Sequence, residues 1–323
     1  MSKFYNTLAV LLTIFMVTQA FQVKAQQIGR RTQFVVNTYM ANPAVAGTMN
    51  YSPFFVSYRN QWAGFKGAPV TMMASGHTGF KSGIGVGAIA FRDDTGGAIS
   101  ETGLELTGAY HVDLNNYDAV SFGLSLTGSQ YQFDNSRLVV YDPTDQALNG
   151  GLSEKTTNVD ATFGFLVYGK QYYAGFSIPQ LFQSELKLES EINPSENRNQ
   201  RHFQMMGSYK YYASDVWDIQ PSAFIRFTGN TPVQMDVNVR AIYNQITFAG
   251  FTYRHRDAVA LMLGANFREF VMSYSYDITT SNANTFSPHT HEITIGYYLA
   301  KKTGKFRVSS LGPKVLDRGR VVN

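Results

Sequence analysis

The chain has 323 residues, no cysteine, a net charge of +4 and only 15% charged residues. Soluble domains carry roughly 25% charged residues, whereas this chain is rich in aromatic residues, with 20 Tyr and 24 Phe. The lack of cysteine excludes disulfide bonds and thiolate chemistry. The mild positive charge, without a basic helix or an aromatic-basic stripe, argues against a nucleic acid partner.

Residues 1–25 have the pattern of a secretory signal peptide. Lys3 provides a basic start, "LAVLLTIFMV" an apolar core, and "VKA" a cleavage site between Ala25 and Gln26. The alternative is an uncleaved anchor helix, but the apolar run is short for a bilayer span. No other stretch approaches about 20 apolar residues, so a mature chain that enters a membrane does so as a β-barrel.

Beyond this leader, an irregular segment precedes a long series of alternating apolar and polar residues. Residues 26–50 show little periodicity, and we expect them to fill the lumen of a barrel or to lie in the periplasm. Residues 51–299 contain the alternation of strands. The fourteen predicted strands are 52–61, 69–79, 83–92, 101–113, 117–131, 157–168, 171–179, 201–213, 216–228, 231–243, 246–255, 258–267, 269–278 and 289–299.

The stretch "PVQMDVNVRAIYN" shows the alternation clearly. Val233, Val237 and Ala241 share one face with Met235 and Val239, while the opposite face is polar. A soluble sandwich would bury the apolar face in its core, whereas a membrane barrel would turn it to lipid and the polar face to the lumen.

The connections favour an all-β outer-membrane barrel of fourteen antiparallel strands over the sandwich. Every second connection is short and most of the others are long, the pattern of outer-membrane barrels with short periplasmic turns. An even number of strands then places both termini in the periplasm. The protein itself is expected in the outer membrane of a Gram-negative bacterium. The aromatic residues expected at the two membrane interfaces are Tyr58, Tyr110, Tyr168, Tyr253, Tyr276 and Tyr297.

Seven charged residues fall on the predicted lumen face, four acids and three arginines. Because unpaired buried charges are costly, we expect them to form a hydrogen-bonded network in an obstructed lumen rather than a selective ring. They are Arg59, Glu105, Asp160, Arg226, Asp236, Arg240 and Glu292.

An ordered set of motifs resembles one protein family. The motifs are "YMANPAVAGT", "SYRNQWAGFKGAP", "YYAGFSIPQLF", "IQPSAFIRF", "SYSYDIT" and "HTHEITIGYYL". In this order and spacing they resemble the PorP/SprF family of the type IX secretion and gliding machinery of Bacteroidota. The resemblance implies a fourteen-stranded barrel without catalytic residues that supports export and surface anchoring of a secreted, adhesin-like cargo and contacts periplasmic components.

Three segments are candidate docking sites. The first surface loop contains Trp62, Phe65 and Lys66, although this motif also suits a structural role in which Arg59 pairs with Glu292 across the barrel closure. The long loops 132–156 and 179–200 are candidate cargo contacts or uninvolved surface; they include Tyr141, Asp142, Glu196 and Arg198. The tail, residues 300–323, is a basic periplasmic arm or a disordered end, with Lys301, Lys302, Lys305 and Arg307.

Enzyme and metal chemistry find little support in the sequence. "HTHE" offers two imidazoles and a carboxylate on opposite strand faces, a poor metal site. "GIGVGA" lacks the strand–turn–helix context of a dinucleotide fingerprint; Gly83, Gly85 and Gly87 are instead expected to leave lumen space for a bulky neighbour or a plug. No nucleophile-elbow motif appears, so we predict no catalytic, cofactor or metal residues. The alternative function is a channel for small or hydrophobic solutes, similar to FadL or a porin.

Overall fold

The structure, a computed structural model, describes residues 31–64, 67–134, 153–186, 198–229, 231–281 and 289–300. Three short 3-10 helices come first: η1 (Thr32–Val35), η2 (Thr38–Ala41) and η3 (Pro43–Val45). Fifteen strand segments follow: β1 (Tyr51–Asn60), β2 (Val70–Gly79), β3 (Ile84–Asp94), β4 (Ile99–Asp113), β5 (Ala119–Asp134), β6 (Ser153–Tyr168), β7 (Tyr172–Ile178), β8 (Phe203–Tyr209), β9 (Tyr211–Tyr212), β10 (Trp217–Phe227), β11 (Gln234–Tyr243), β12 (Thr247–Arg254), β13 (Ala258–Phe267), β14 (Phe270–Thr279) and β15 (His289–Ala300). Across these residues, no helix has the length and apolar character of a membrane span.

The strands close into a single antiparallel barrel. Each strand pairs with its neighbour in sequence, and β1 pairs with β15, from Tyr51 opposite Ala300 to Asn60 opposite His291. The segments β8 and β9 are two parts of one barrel strand, interrupted at Lys210, and both pair with β10. The predicted architecture of fourteen antiparallel strands is therefore confirmed.

Side chains alternate between an apolar outer surface and a polar interior. On β11, Val237 and Val239 are exposed outside, whereas Asp236 and Asn238 are buried inside. The apolar outer face continues on other strands, for example at Leu104, Leu106, Leu261, Leu263, Ile293 and Ile295. This arrangement is the reverse of a soluble sandwich, and it confirms the inward and outward faces predicted for "PVQMDVNVRAIYN".

Five of the six tyrosines predicted for the membrane interfaces lie on the outer face of the barrel, as that prediction requires, and one does not. Tyr58, Tyr110, Tyr253 and Tyr297 are exposed on the outer surface, and Tyr276 is half-buried. Tyr168 was wrongly assigned to this set, because it is buried and its hydroxyl lies 3.0 Å from His111 Nδ1. Its position explains the error, since even-numbered residues of β6 face the lumen.

The two ends of the barrel differ. At one end, here called the short-turn side, tight turns such as 244–246 join the strands, with Asn244 and Gln245 at φ of 50° and 58°, as in the favoured hairpin turns. The other end, here called the long-loop side, has an uneven rim. Strands β4, β5 and β6 have 15, 16 and 16 residues, more than the roughly 9–11 that span a bilayer, whereas β7 has seven and pairs with β6 only from Phe163 to Tyr168.

The segment before β1 lies inside the barrel; residues 31–50 are called the plug below. Although the sequence looked irregular here, the segment forms η1, η2 and η3, and most of its residues are buried. Helix η3 has a clear local cause: Pro43 occupies its first turn and Asn42 accepts a hydrogen bond from Ala44 N. The lumen of a barrel of about eight strands is filled by the side chains of its own strands, whereas the lumen of this wider barrel is filled by the plug.

Candidate functional site in the lumen

Five charged side chains from five strands meet inside the barrel and are called the ion cluster: Arg59, Asp236, Arg254, Asp277 and Glu292. Arg59 Nη1 lies 2.9 Å from Glu292 Oε2, and Nη2 lies 3.1 Å from Asp277 Oδ2. Arg254 Nη1 lies 3.3 Å from the same Asp277 oxygen, and Nε lies 3.2 Å from Asp236 Oδ2. All five are nearly excluded from solvent, so each depends on its partners to offset desolvation.

The plug is attached to the ion cluster through η1. Thr32 N donates to Glu292 Oε2 at 2.9 Å, and Thr32 Oγ1 donates to Asp277 Oδ2 at 2.7 Å. The same hydroxyl accepts from Arg254 Nη2 at 3.0 Å, and Gln33 Nε2 donates to the Glu292 carbonyl at 2.7 Å. The first helix of the plug therefore completes the hydrogen bonding of charges on three strands.

A second attachment uses two histidines, His77 on β2 and His111 on β4. Gly47 N donates to His77 Nδ1 at 3.1 Å, and His111 Nε2 lies 2.8 Å from the Ala46 carbonyl. Because a carbonyl only accepts, His111 Nε2 carries the proton, and in the neutral ring Nδ1 accepts from Tyr168. Tyr39 OH donates to Thr107 Oγ1 at 2.6 Å.

The wall beneath η3 contains glycines that let the plug approach the backbone of the wall closely. A Cβ placed on Gly85 would lie 2.0 Å from Ala46 O, one on Gly123 would lie 2.3 Å from Ala44 N, and one on Gly164 would lie 2.1 Å from Asn42 Oδ1. No side chain fits at such distances. We call Gly85, Gly123 and Gly164 the glycine seat.

The prediction that the "GIGVGA" glycines make room for a plug is confirmed at two positions and wrong at the third. Gly87 joins Gly85 in this role, because its Cβ would lie 2.5 Å from Tyr39 OH. Gly83 instead has φ of +85° in the turn before β3, a conformation that side chains rarely adopt.

The plug fills the lumen around η3. Ala44, Val45, Ala46 and Thr48 have no exposed surface, and neither does Leu166 on β6. Protein atoms therefore cover this part of the plug, and its contacts are with β4, β5 and β6.

The structure divides the seven predicted lumen charges between different places. Arg59, Asp236 and Glu292 belong to the ion cluster. Arg240 Nη2 donates to Gln220 Oε1 at 2.6 Å and lies over the Phe248 ring, and Arg226 lies over the Phe224 ring.

Glu105 and Asp160 lie apart from the ion cluster, on the wall formed by the long strands. Glu105 accepts from Thr127 Oγ1 at 3.3 Å, and Asp160 Oδ1 accepts from Phe182 N at 2.9 Å. The sequence analysis did not include Asp277 and Arg254 among the lumen charges. Alternation along their strands places both residues on the lumen face, so this pattern could have identified them.

The predicted docking residues are only partly within the described chain. Trp62 has φ of 55°, and its amide donates to Thr290 Oγ1 at 3.1 Å, so the first loop is tied to β15. Arg198 forms an exposed ion pair with Glu185. The remaining predicted residues lie outside the described residues: Ala25, Gln26, Phe65, Lys66, Tyr141, Asp142, Glu196, Lys301, Lys302, Lys305 and Arg307.

The "HTHE" side chains separate across the barrel wall. His289 and His291 contact Tyr276 and Tyr274 on the outer side, whereas Glu292 points into the ion cluster. Across the described ranges, His, Asp and Glu residues form no group of three suited to a metal ion.

The fold and the lumen define a plugged β-barrel of the outer-membrane class. The sequence model of the type IX secretion system membrane protein PorP/SprF family matches residues 23–297. The chain belongs to this family, as its motifs predicted.

Solved structures similar to this chain are also outer-membrane barrels. The CymD monoaromatic hydrocarbon channel has a TM-score of 0.51 and 12% identity, over 90% of this chain and 98% of that one. The Ralstonia pickettii toluene transporter TbuX has a TM-score of 0.50 and 9% identity, over 82% and 93% of the two chains. At this identity the likeness shows the fold alone. No curated protein sequence matches this chain.

The ion cluster predicts a large effect of Arg59→Ala. The substitution leaves Glu292 and Asp277 buried with fewer partners, so we expect the free energy of unfolding to fall by about 3–5 kcal/mol. Urea unfolding in lipid vesicles, followed by tryptophan fluorescence, measures this change. Arg198→Ala is the matched control; it removes an exposed ion pair and should cost only about 0–1 kcal/mol. Equal effects of the two substitutions would contradict the role of the ion cluster.

The glycine seat predicts that Gly85→Leu releases the plug. Overpacking at this position should disfavour the docked plug by about 1–3 kcal/mol, which shifts the ratio of docked to released plug by about 5- to 150-fold. Planar-bilayer conductance and proteolysis of residues 31–50 report the release.

The matched control for this experiment is Gly108→Leu. Gly108 lies on the outer face of β4, where an added Cβ meets nothing within 4 Å, so wild-type behaviour is expected. Heat-modifiable gel mobility verifies that both variants fold. A folded Gly85→Leu protein with wild-type conductance and a protected plug would refute the glycine seat.

Proposed function

We propose that this protein is an outer-membrane component of type IX secretion that supports export and surface anchoring of an adhesin-like cargo and contacts periplasmic components of the machinery. The observation that carries the proposal is the family match over residues 23–297. The chain serves in this role as a non-enzymatic docking platform.

The filled lumen supports a platform rather than a conduit. The plug is held at one end by the ion cluster and at the other by the glycine seat and two histidines. The residues of η3 have no exposed surface. A channel for small or hydrophobic solutes would need to displace this segment before anything could cross.

The orientation proposed here puts the long-loop side outside the cell and the short-turn side, with both termini, in the periplasm. It follows the usual layout of bacterial outer-membrane barrels. The apolar band between the two ends then contacts outer-membrane lipid. Cargo meets the long-loop side, and the basic segment 300–323 faces the periplasmic machinery.

Cysteine labelling tests this orientation without background, because the chain contains no cysteine. Thr95 and Asn116 are exposed at the long-loop and short-turn sides respectively. A membrane-impermeant maleimide added to intact cells should label Thr95→Cys and should reach Asn116→Cys only after the outer membrane is permeabilised. The opposite order of labelling would reverse the proposed topology.

An affinity pull-down from detergent-solubilised outer membranes tests the function. We expect the tagged protein to retain a large secreted surface protein and periplasmic type IX components, identified by mass spectrometry. A variant that lacks residues 303–323 should no longer retain the periplasmic components but should still retain the surface protein. Each class of partner is therefore a control for the other. A purified barrel without any protein partner, combined with measurable solute conductance, would instead support the channel.

A further inference from the structure

A cavity of about 180 Å³ lies on the long-loop side, between the plug and the wall formed by β3 to β6. Its floor includes Tyr39 and Met40 of the plug, and its wall includes Glu105 and Asp160. The volume exceeds the roughly 30 Å³ that one water occupies but falls below the roughly 300–1,000 Å³ of small-molecule pockets. A single long side chain matches this size.

The strand register brings carboxylates together on this wall. Asp93 pairs with Glu101 across β3 and β4, and Thr127 of β5 pairs with both Glu105 and Asp160. Four carboxylates therefore line the cavity, and among its lining residues that the structure describes, Arg31 carries a positive charge. Nearby, burial lowers the pKa of His202 to about 4, with Arg226 adding to the effect, so this ring is neutral at pH 7.

Three buried acceptor atoms on the cavity lining have no hydrogen-bond partner within the described part of the chain. They are Asp160 Oδ2, Asn158 Oδ1 and Asn199 Oδ1. The three residues are 6%, 5% and 2% exposed, respectively. Buried polar atoms are almost always hydrogen-bonded, so three unpaired acceptor atoms on one cavity lining call for a ligand that donates hydrogen bonds.

Asp160 shows that this wall is ordered before any ligand arrives. Its Oδ1 accepts from Ala161 N at 2.7 Å and from Phe182 N at 2.9 Å. These bonds fix the carboxylate and leave Oδ2 free for a ligand. The site is thus held by backbone groups of β6 and of the segment after β7.

We propose that this cavity binds the guanidinium group of an arginine side chain from another polypeptide. A guanidinium presents five donors in a plane and is more weakly hydrated than an ammonium, which suits several separate acceptors in a buried site. The lining also includes the rings of Tyr39, Phe91 and Tyr131, which favour a planar cation. The chemistry of the site stands by itself; assigning the arginine to a secreted partner rests on the proposed function.

Binding of acetylarginine amide to the purified, folded protein tests the site by calorimetry. We expect acetylarginine amide to bind saturably and acetyllysine amide to bind more weakly. Acetylcitrulline amide, the neutral isostere of the arginine compound, should not bind. Absence of saturable binding, or equal binding of the citrulline compound, would overturn the proposal.

Asp160→Asn is the informative variant, because it keeps one acceptor oxygen and turns the other position into a donor. We expect it to weaken binding about tenfold or more, and Glu105→Gln serves as a second variant in case the first does not fold. Asp118→Asn removes the same charge at the short-turn side and should bind as the wild type does. Unchanged affinity in both cavity variants would reject the site.

A short peptide with one central arginine distinguishes the two sources of a guanidinium. Binding at least as tight as that of acetylarginine amide supports a polypeptide ligand. If the peptide is excluded while the capped amino acid binds, the cavity takes only free guanidinium compounds and the polypeptide assignment is wrong. Neither result depends on the pull-down, so the cavity and the secretion function can fail separately.

Discussion

The rest of the lumen depends on the ion pairs that the Asp277 carboxylate forms with two buried arginines. Arg59 reaches this carboxylate from β1 and Arg254 from β12, while Thr32 of the plug donates to it. Arg59 also binds Glu292 of β15, so one cluster joins the first strand to the last and both to the plug. Removing one partner of a buried ion pair is strongly destabilising, so closure of the barrel and seating of the plug depend on the same group of side chains.

The plug meets the wall formed by β3, β5 and β6 by a different principle. There the plug rests against Gly85, Gly123 and Gly164 at distances that exclude a Cβ, and His77 and His111 bond its backbone beside them. Charge fixes one end of the segment, and close packing with these two hydrogen bonds fixes the other. The barrel shares its fold with hydrocarbon channels, but its own lumen is filled where these contacts hold the plug.

Much of this architecture could be predicted from the sequence, since strand parity and alternating connection lengths are local signals. Alternation along the strands also predicted that Arg59 and Glu292 face the lumen. Pairing of the first and last strands in a closed barrel predicted that the two residues are neighbours. Asp277 and Arg254 have the same parity, but their meeting depends on the stagger of the strands around the barrel, which a single sequence does not encode locally. The same limit applies to Glu105 and Asp160, which parity grouped with the other charges although they lie on another wall.

The uneven rim follows from strand length and explains why the lumen has two distinct levels. Because β4, β5 and β6 continue past the ends of β7 and β8, the polar residues on their inner faces rise above the plug. Their carboxylates and unpaired acceptors line a cavity, while the plug fills the lumen below. A barrel built this way holds a polar cavity at one end, and the plug separates that cavity from the other end.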